Sequence, residues 1–184
     1  QAGKLAKSVN CKLRLSVEQS FFIICDESKV QEVQTSELYK SYSQYHNIYF
    51  NHQIACAGTH TCSFGVIPNK PDAIDMANYL NQEVPIKDGK VRMYWSACPK
   101  ACGIHGVADI GFEGCKAKDE EGNTVYGVHI FLGGKATKEA KEARVILKSI
   151  PLTKAREYVK NLLVVYRDNK EVGESFESFE DRYL

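Results

Sequence analysis

The sequence has no excess of charge of either sign. Its Lys and Arg number 24 and its Asp and Glu 23, a formal net charge of +1. That balance supplies no long-range attraction to nucleic acid or to an anionic membrane. No apolar run approaches the ~18 residues of a membrane-spanning helix. The first residues carry no signal-peptide pattern; the expected location is cytoplasmic, on the cysteine usage described below. There is no internal repeat, no low-complexity tract and no flexible linker. Nor is there an initiator Met; Gln1 opens the chain and leaves the expectation of a piece of something longer.

What is present is an ordinary globular composition. The 184 residues are 43% hydrophobic and 26% charged, enough for one domain, with at most a small extra lobe, and for a core that needs no staples. Cysteine departs from the ordinary. There are seven, an odd count, and four of them fall in two tight pairs. These are Cys56-Ala-Gly-Thr-His-Thr-Cys62 and Cys98-Pro-Lys-Ala-Cys102, separated by thirty-five residues. Thiolates are soft ligands, and two loops each carrying two of them can close a four-sulfur site for iron–sulfur or zinc. Zinc pairs are usually spaced by about two to four residues, so the longer gap of the first pair favours the cluster without excluding zinc. Ordinary buried thiols are the remaining alternative. Such usage fits a reducing compartment better than a disulfide scaffold. Cys11, Cys25 and Cys115 fit no second ligand pattern, and Cys25 reads as core.

Hydrophobic periodicity places these loops on an α+β chain. Residues 1–9 read as the end of a helix, and Lys12-Leu-Arg-Leu-Ser16 alternates as a half-buried strand. Phe21-Phe-Ile-Ile-Cys25 reads as a strand buried on both faces. Asp26 is placed to cap a helix carrying Val30 and Val33. Residues 41–51, with Tyr42, Tyr45 and Tyr49, read as a packed connector. Pro71 lies in the first turn of a helix whose inner face is Ala73, Ile74, Ala77 and Leu80. Residues 91–95 read as a strand leading into Cys98, and residues 107–112 as another. Residues 126–132 alternate and end at Gly133-Gly134, and residues 144–150 form a shorter strand before Pro151. Thr153 is placed to cap a helix with Ala155, Tyr158, Val159, Leu162, Leu163 and Tyr166 on one face.

Gly58, Gly65 and the run from Cys98 through Val107-Ala-Asp-Ile-Gly-Phe112 resemble the sirohaem- and [4Fe-4S]-binding half of assimilatory sulfite reductases and ferredoxin-type nitrite reductases. Leu13-Arg-Leu-Ser-Val-Glu-Gln19 and Gly173-Glu-Ser-Phe176 extend the resemblance nearly end to end. It implies a ferredoxin-like half-module over 1–45, followed by an α/β cofactor-binding domain over 46–184 with a mixed sheet flanked by helices. It also implies a [4Fe-4S] cluster on Cys56, Cys62, Cys98 and Cys102, with Cys102 bridging to the sirohaem iron. Gly58, Thr59 and Gly103 would line the cofactors, with loop N–H groups facing cluster sulfurs, and Trp95 and Phe112 would contribute a dry shell. Gly133 and Gly134 would lie against the haem ring.

The implied activity is six-electron reduction of a small oxyanion, sulfite or nitrite, with a ferredoxin-like or flavoprotein electron donor. A missing N-terminal half or a second copy would supply most substrate cations; neither nucleic acid nor membrane is an expected partner. Arg14 and Lys100 are the candidate cations in this chain. Lys100 stands where the family often has Asn, and Ser16 where it usually has Thr. His60 and His105 lie in the ligand loops as candidate proton donors, against the commoner role of a loop histidine bonded to backbone. The competing readings are another sirohaem-family enzyme, such as one of corrin synthesis, and an electron-transfer or metal-stabilised structural module without turnover.

Overall fold

The computed structural model describes residues 1–16, 20–42, 47–136 and 139–183. Val17, Glu18 and Gln19 of the N-terminal motif, and Tyr45 of the connector, lie outside the described residues. The chain divides into two units, Gln1–His46 and Asn47–Leu184.

In the first unit α1 (Ala2–Ser8) leads into β1 (Lys12–Leu15), which pairs antiparallel with β2 (Phe21–Ile24). A 3-10 turn (Glu27–Lys29), α2 (Val30–Thr35) and α3 (Glu37–Tyr42) follow. The burial expected of the two strands is not found. All of β1 is exposed, and of β2 only Ile23 is half-buried. The apolar pattern suits a layered sheet, but β1 and β2 form a sheet of two strands only. Cys25, just past β2, is half-buried rather than core. Asp26 stands at the N-cap of the 3-10 turn without making a side-chain cap bond.

The second unit holds α4 (Ile48–Asn51), β3 (Gln53–Ala55), α5 (Lys70–Glu83), β4 (Met93–Ser96), β5 (Ile110–Lys118), β6 (Thr124–Leu132), β7 (Arg144–Pro151), α6 (Leu152–Asn169) and α7 (Phe176–Tyr183). The five strands form one mixed sheet in chain order. β3, β4 and β5 run parallel, while β6 and β7 each join antiparallel. Residues 107–109, expected at the start of β5, lie before it, Val107 in a 3-10 turn (His105–Val107). Side chains alternate across a strand. Met93 and Trp95, Ile110 and Phe112, and Val128, Ile130 and Leu132 accordingly meet the buried sides of α5 and α6 in one core.

The helix faces follow the sequence periodicity with small changes. In α5, Met76 joins Ala73, Ala77 and Leu80 among the buried residues, and Ile74 is half-buried. In α6, Ala155, Val159, Leu163 and Tyr166 are buried and Leu162 is half-buried, while Tyr158, expected inside, is 48% exposed. The helix begins at Leu152 with Pro151 as N-cap, so Thr153 lies within the first turn and caps nothing. Phe176 and Phe179 of α7 pack edge-on to Tyr166, which ties the closing segment to the core. Tyr49 of the connector is fully buried and donates from its hydroxyl to the Val84 carbonyl at 2.5 Å. Burial pushes its phenol well above the usual value. Among the described residues no helix is long and apolar enough to cross a membrane.

Candidate metal centre

Two cysteine loops leave the sheet side by side. Ala55 pairs with Trp95 at the C-terminal ends of the parallel strands β3 and β4, so the next residues of both strands emerge on one edge. Ligands in open α/β sheets gather at such carboxyl ends. The Cys56 N–H donates to the Trp95 carbonyl at 3.1 Å, and the Ala97 N–H donates to Cys56 Sγ at 3.2 Å.

The first loop closes on itself. The Cys62 N–H reaches the Gly58 carbonyl at 3.0 Å, the Gly65 N–H reaches Cys62 at 3.1 Å, and the Thr59 N–H reaches Ile67 at 3.0 Å. It is then stitched to the second loop by the Val66 N–H on the Ala97 carbonyl at 2.9 Å. Gly58 is left-handed with φ +72°, and a Cβ there would overlap the Pro68 carbonyl. Only glycine meets both conditions without strain.

The second loop turns back under itself. Ala101 and Ile104 are left-handed, with φ 57° and 48°. With Asn69, three of the five left-handed non-glycine residues among those described flank this site. Strained backbone of this kind concentrates where a loop's shape is over-determined, and such turns form the N–H nests seen at iron–sulfur sites. A Cβ on Gly103 would overlap the Trp95 carbonyl, so glycine is needed for close approach. Its N–H donates to Ser96 Oγ at 3.0 Å.

All four cysteines are free thiols: Cys98 is buried, Cys56 and Cys62 are half-buried, and Cys102 is exposed. Among the described residues no three His, Cys, Asp or Glu side chains converge on a single ion position. A [4Fe-4S] cluster makes no such demand, because each thiolate binds a different iron. Soft donors in pairs on adjoining loops, held open by glycines that a Cβ would obstruct, fit that group.

The remaining candidates differ in burial and contacts. Thr59 is exposed, with its N–H spent on loop closure. Lys100 is exposed and its Nζ lies 4.5 Å from the centre of the Phe64 ring, a cation–π contact. His60 is exposed. Arg14 lies on β1 of the first unit, exposed. Gly133 and Gly134 have a reason within the chain: a Cβ would overlap the Glu180 carboxylate at the first and come within 2.7 Å of Val107 and Ala108 backbone at the second. Trp95 and Phe112 are fully buried and stacked, with ring centres 3.8 Å apart, on the helix-covered face of the sheet.

Two buried networks escaped the sequence reading. His105 is bonded to side chains rather than to backbone. Its Nδ1 lies 2.8 Å from Ser96 Oγ and its Nε2 3.2 Å from Glu113, whose other oxygen is 4.0 Å from His129. A neutral ring protonated at Nε2 donates to Glu113 and accepts the Ser96 hydroxyl. Burial lowers the His105 pKa, opposed by Glu113. The second network joins Arg92 to Asp109 and Glu177. Burial raises the Asp109 carboxyl, with Arg92 opposing; burial alone would lower Arg92, but Asp109 and Glu177 hold it above its usual value. A charge set inside the apolar run Val107-Ala-Asp-Ile-Gly-Phe112 is the signal that could have marked Asp109, since buried charges need partners.

Comparison with known proteins identifies a family. The family described as "Nitrite and sulphite reductase 4Fe-4S domain" matches residues 52–176. The chain is 32% identical over 167 residues to the chloroplastic ferredoxin–nitrite reductase of Betula pendula, covering 89% of this chain and 28% of that protein. It is 30% identical over 155 residues to the ferredoxin–nitrite reductase of Leptolyngbya laminosa, covering 83% of this chain and 30% of that protein. The chain therefore spans less than a third of the length of these relatives. Among solved structures, that of the Mycobacterium tuberculosis NirA protein superposes over 100% of this chain and 35% of its own, with a TM-score of 0.78 at 17% identity, a likeness of fold.

Proposed function

This chain belongs to the nitrite and sulphite reductase 4Fe-4S domain family, and from that premise we propose that it is the cofactor-binding module of a nitrite or sulfite reductase. Cys56, Cys62, Cys98 and Cys102 hold a [4Fe-4S] cluster, and Cys102 also ligates a sirohaem iron. The observation that carries this reading is the adjacency of the two cysteine loops, joined where the Ala97 N–H meets Cys56 Sγ at 3.2 Å.

When bound, the cluster and sirohaem would supply one-electron chemistry for the reduction of a small anion. The protein holds, orients and encloses. Cys98 is buried and Cys102 exposed, which suits one sulfur facing the protein and one facing a second cofactor. Lys100, anchored over Phe64, places a cation beside the second loop, where it offsets anionic charge. Ser96 fixes the loop through Gly103 and sets the His105 tautomer.

Nitrite and a ferredoxin donor are the favoured substrate and partner, because ferredoxin–nitrite reductases are among the relatives found. The remaining substrate-facing cations are assigned to a preceding half or to a second copy of the chain.

The test is a visible spectrum of anaerobically prepared protein, followed by oxidation of reduced viologen on addition of nitrite or sulfite. Tetrapyrrole and cluster absorption with turnover is the expected result. Cluster absorption alone without turnover would replace catalysis with electron transfer, and bound zinc would remove the redox reading.

A further inference from the structure

The structure assigns to Asn69, a residue no motif marked, the role of setting the reduction potential of the cluster through the sulfur of Cys56. The inference rests on Cys56 being a ligand.

Cys56 Sγ accepts two N–H donors, from the Ala97 backbone at 3.2 Å and from Asn69 Nδ2 at 3.3 Å. Among the described residues, none of the other three paired sulfurs is an acceptor of this kind; Cys102 only approaches the Lys100 carbonyl, as a donor, at 4.0 Å.

The placement of Asn69 is costly in three ways. It is fully buried, its backbone is left-handed with φ 71°, and among the described residues its Oδ1 has no hydrogen-bond partner. The orientation of the amide is fixed by its surroundings. Nδ2 also contacts the Cys56 carbonyl at 2.9 Å and the Trp95 carbonyl at 3.1 Å. A flipped amide would turn an oxygen toward three acceptors, so the nitrogen must face them. The backbone is anchored separately, by the Asn69 N–H on Asp72 Oδ2 at 2.7 Å at the start of α5. Asn69 thus links the helix start to both cysteine strands by its side chain, and to its own helix by its backbone.

Hydrogen bonds to cluster sulfurs are one of the means by which a protein sets the potential. When the cluster takes up one electron from an external reductant, negative charge on its thiolates grows. An N–H donor stabilises the reduced form more than the oxidised form. No bond to Cys56 is made or broken, and both amide hydrogens stay on nitrogen. Cys56, with two donors, is the sulfur where this stabilisation concentrates.

The experiment is a potentiometric titration of the anaerobic, cluster-loaded protein, followed by electron paramagnetic resonance. Asn69→Leu keeps the shape of the side chain without the donor. Asn69→Gly removes the donor and accepts the left-handed backbone freely. Asp72→Ala weakens the helix start and leaves the N–H···S contact in place. Both Asn69 variants are expected to retain iron and sulfide and to be harder to reduce by about tenfold in the equilibrium constant, ~59 mV for one electron. Asp72→Ala is expected to keep the wild-type potential.

Wild-type potentials in both loaded Asn69 variants would overturn the inference. So would an equal shift in Asp72→Ala, or folded Asn69 variants that take up no cluster, since Asn69 would then build the site rather than tune it. Full cluster content in Cys56→Ala would instead refute Cys56 as a ligand, a separate failure.

Discussion

Replacing Gly58 by alanine separates two costs that the structure stacks at one residue. The first is conformational. Gly58 has φ +72°, and a side chain in the left-handed region costs about 1–2 kcal/mol. The second is steric, because the new Cβ would overlap the Pro68 carbonyl and approach Asn69. Forcing atoms into a packed site costs a further ~1–3 kcal/mol. Gly122 isolates the first cost. It lies in the β5–β6 turn with φ +85° and nothing within 4 Å of a Cβ.

Gly122→Ala is therefore expected to lose about 1–2 kcal/mol, and Gly58→Ala about 2–5 kcal/mol. The assay is anaerobic urea denaturation followed by the fluorescence of Trp95, the single tryptophan, which lies in the core of the second unit. Iron content measured in parallel is expected to fall in Gly58→Ala alone, because the clash displaces the backbone of the first loop, whose Gly58 carbonyl holds the Cys62 N–H. Equal losses in the two variants, with iron retained, would refute the close-approach argument for Gly58.

Three further outcomes follow from buried polar groups. Asp109→Ala leaves Arg92, 6% exposed, with Glu177 as its remaining carboxylate, and is expected to cost about 3 kcal/mol in urea denaturation. The double variant Arg92→Met, Asp109→Leu removes both charges and is expected to be the more stable of the two. Burial holds His105 below its ordinary 6.5, so below that pH the unfolded chain takes up the proton first. The His105 contribution is complete above about 6.5 and is lost as pH falls toward the lowered folded value; His105→Phe should flatten that slope in denaturation measured across pH 5–8, a range set by the ordinary ~6.5 of histidine. Tyr49→Phe strips the buried Val84 carbonyl of its donor and is expected to cost about 1–2 kcal/mol.

How far the sequence could be read depended on the range of the interactions involved. The two cysteine pairs and the glycines beside them are written in local spacing, as are the inner faces of α5 and α6 apart from Met76 and Tyr158. The β1–β2 hairpin misled because alternation reports which residues suit a sheet interior, not whether a layer covers it. Tyr158 misled in the same way: helical period places it beside the buried stripe, and the width of the covering sheet decides its exposure. Arg92, Asp109 and Glu177 are far apart in sequence and meet only in the folded chain, and Ser96, His105, Glu113 and His129 gather from a loop and three strands. Asn69 was invisible because its relation to Cys56 is made by the crossing of a helix start with a strand end.

The central claim is that four thiolates on two loops hold one cluster. Its most direct measurement is iron and acid-labile sulfide per chain on anaerobically prepared protein, with single Cys→Ala variants at positions 56, 62, 98 and 102 and Cys25→Ala as control. A complement of about four iron and four sulfide is expected, intact in the control and lost or reduced in each of the four variants. Full iron and sulfide in any of those four, or zinc in place of iron in the parent protein, would contradict it.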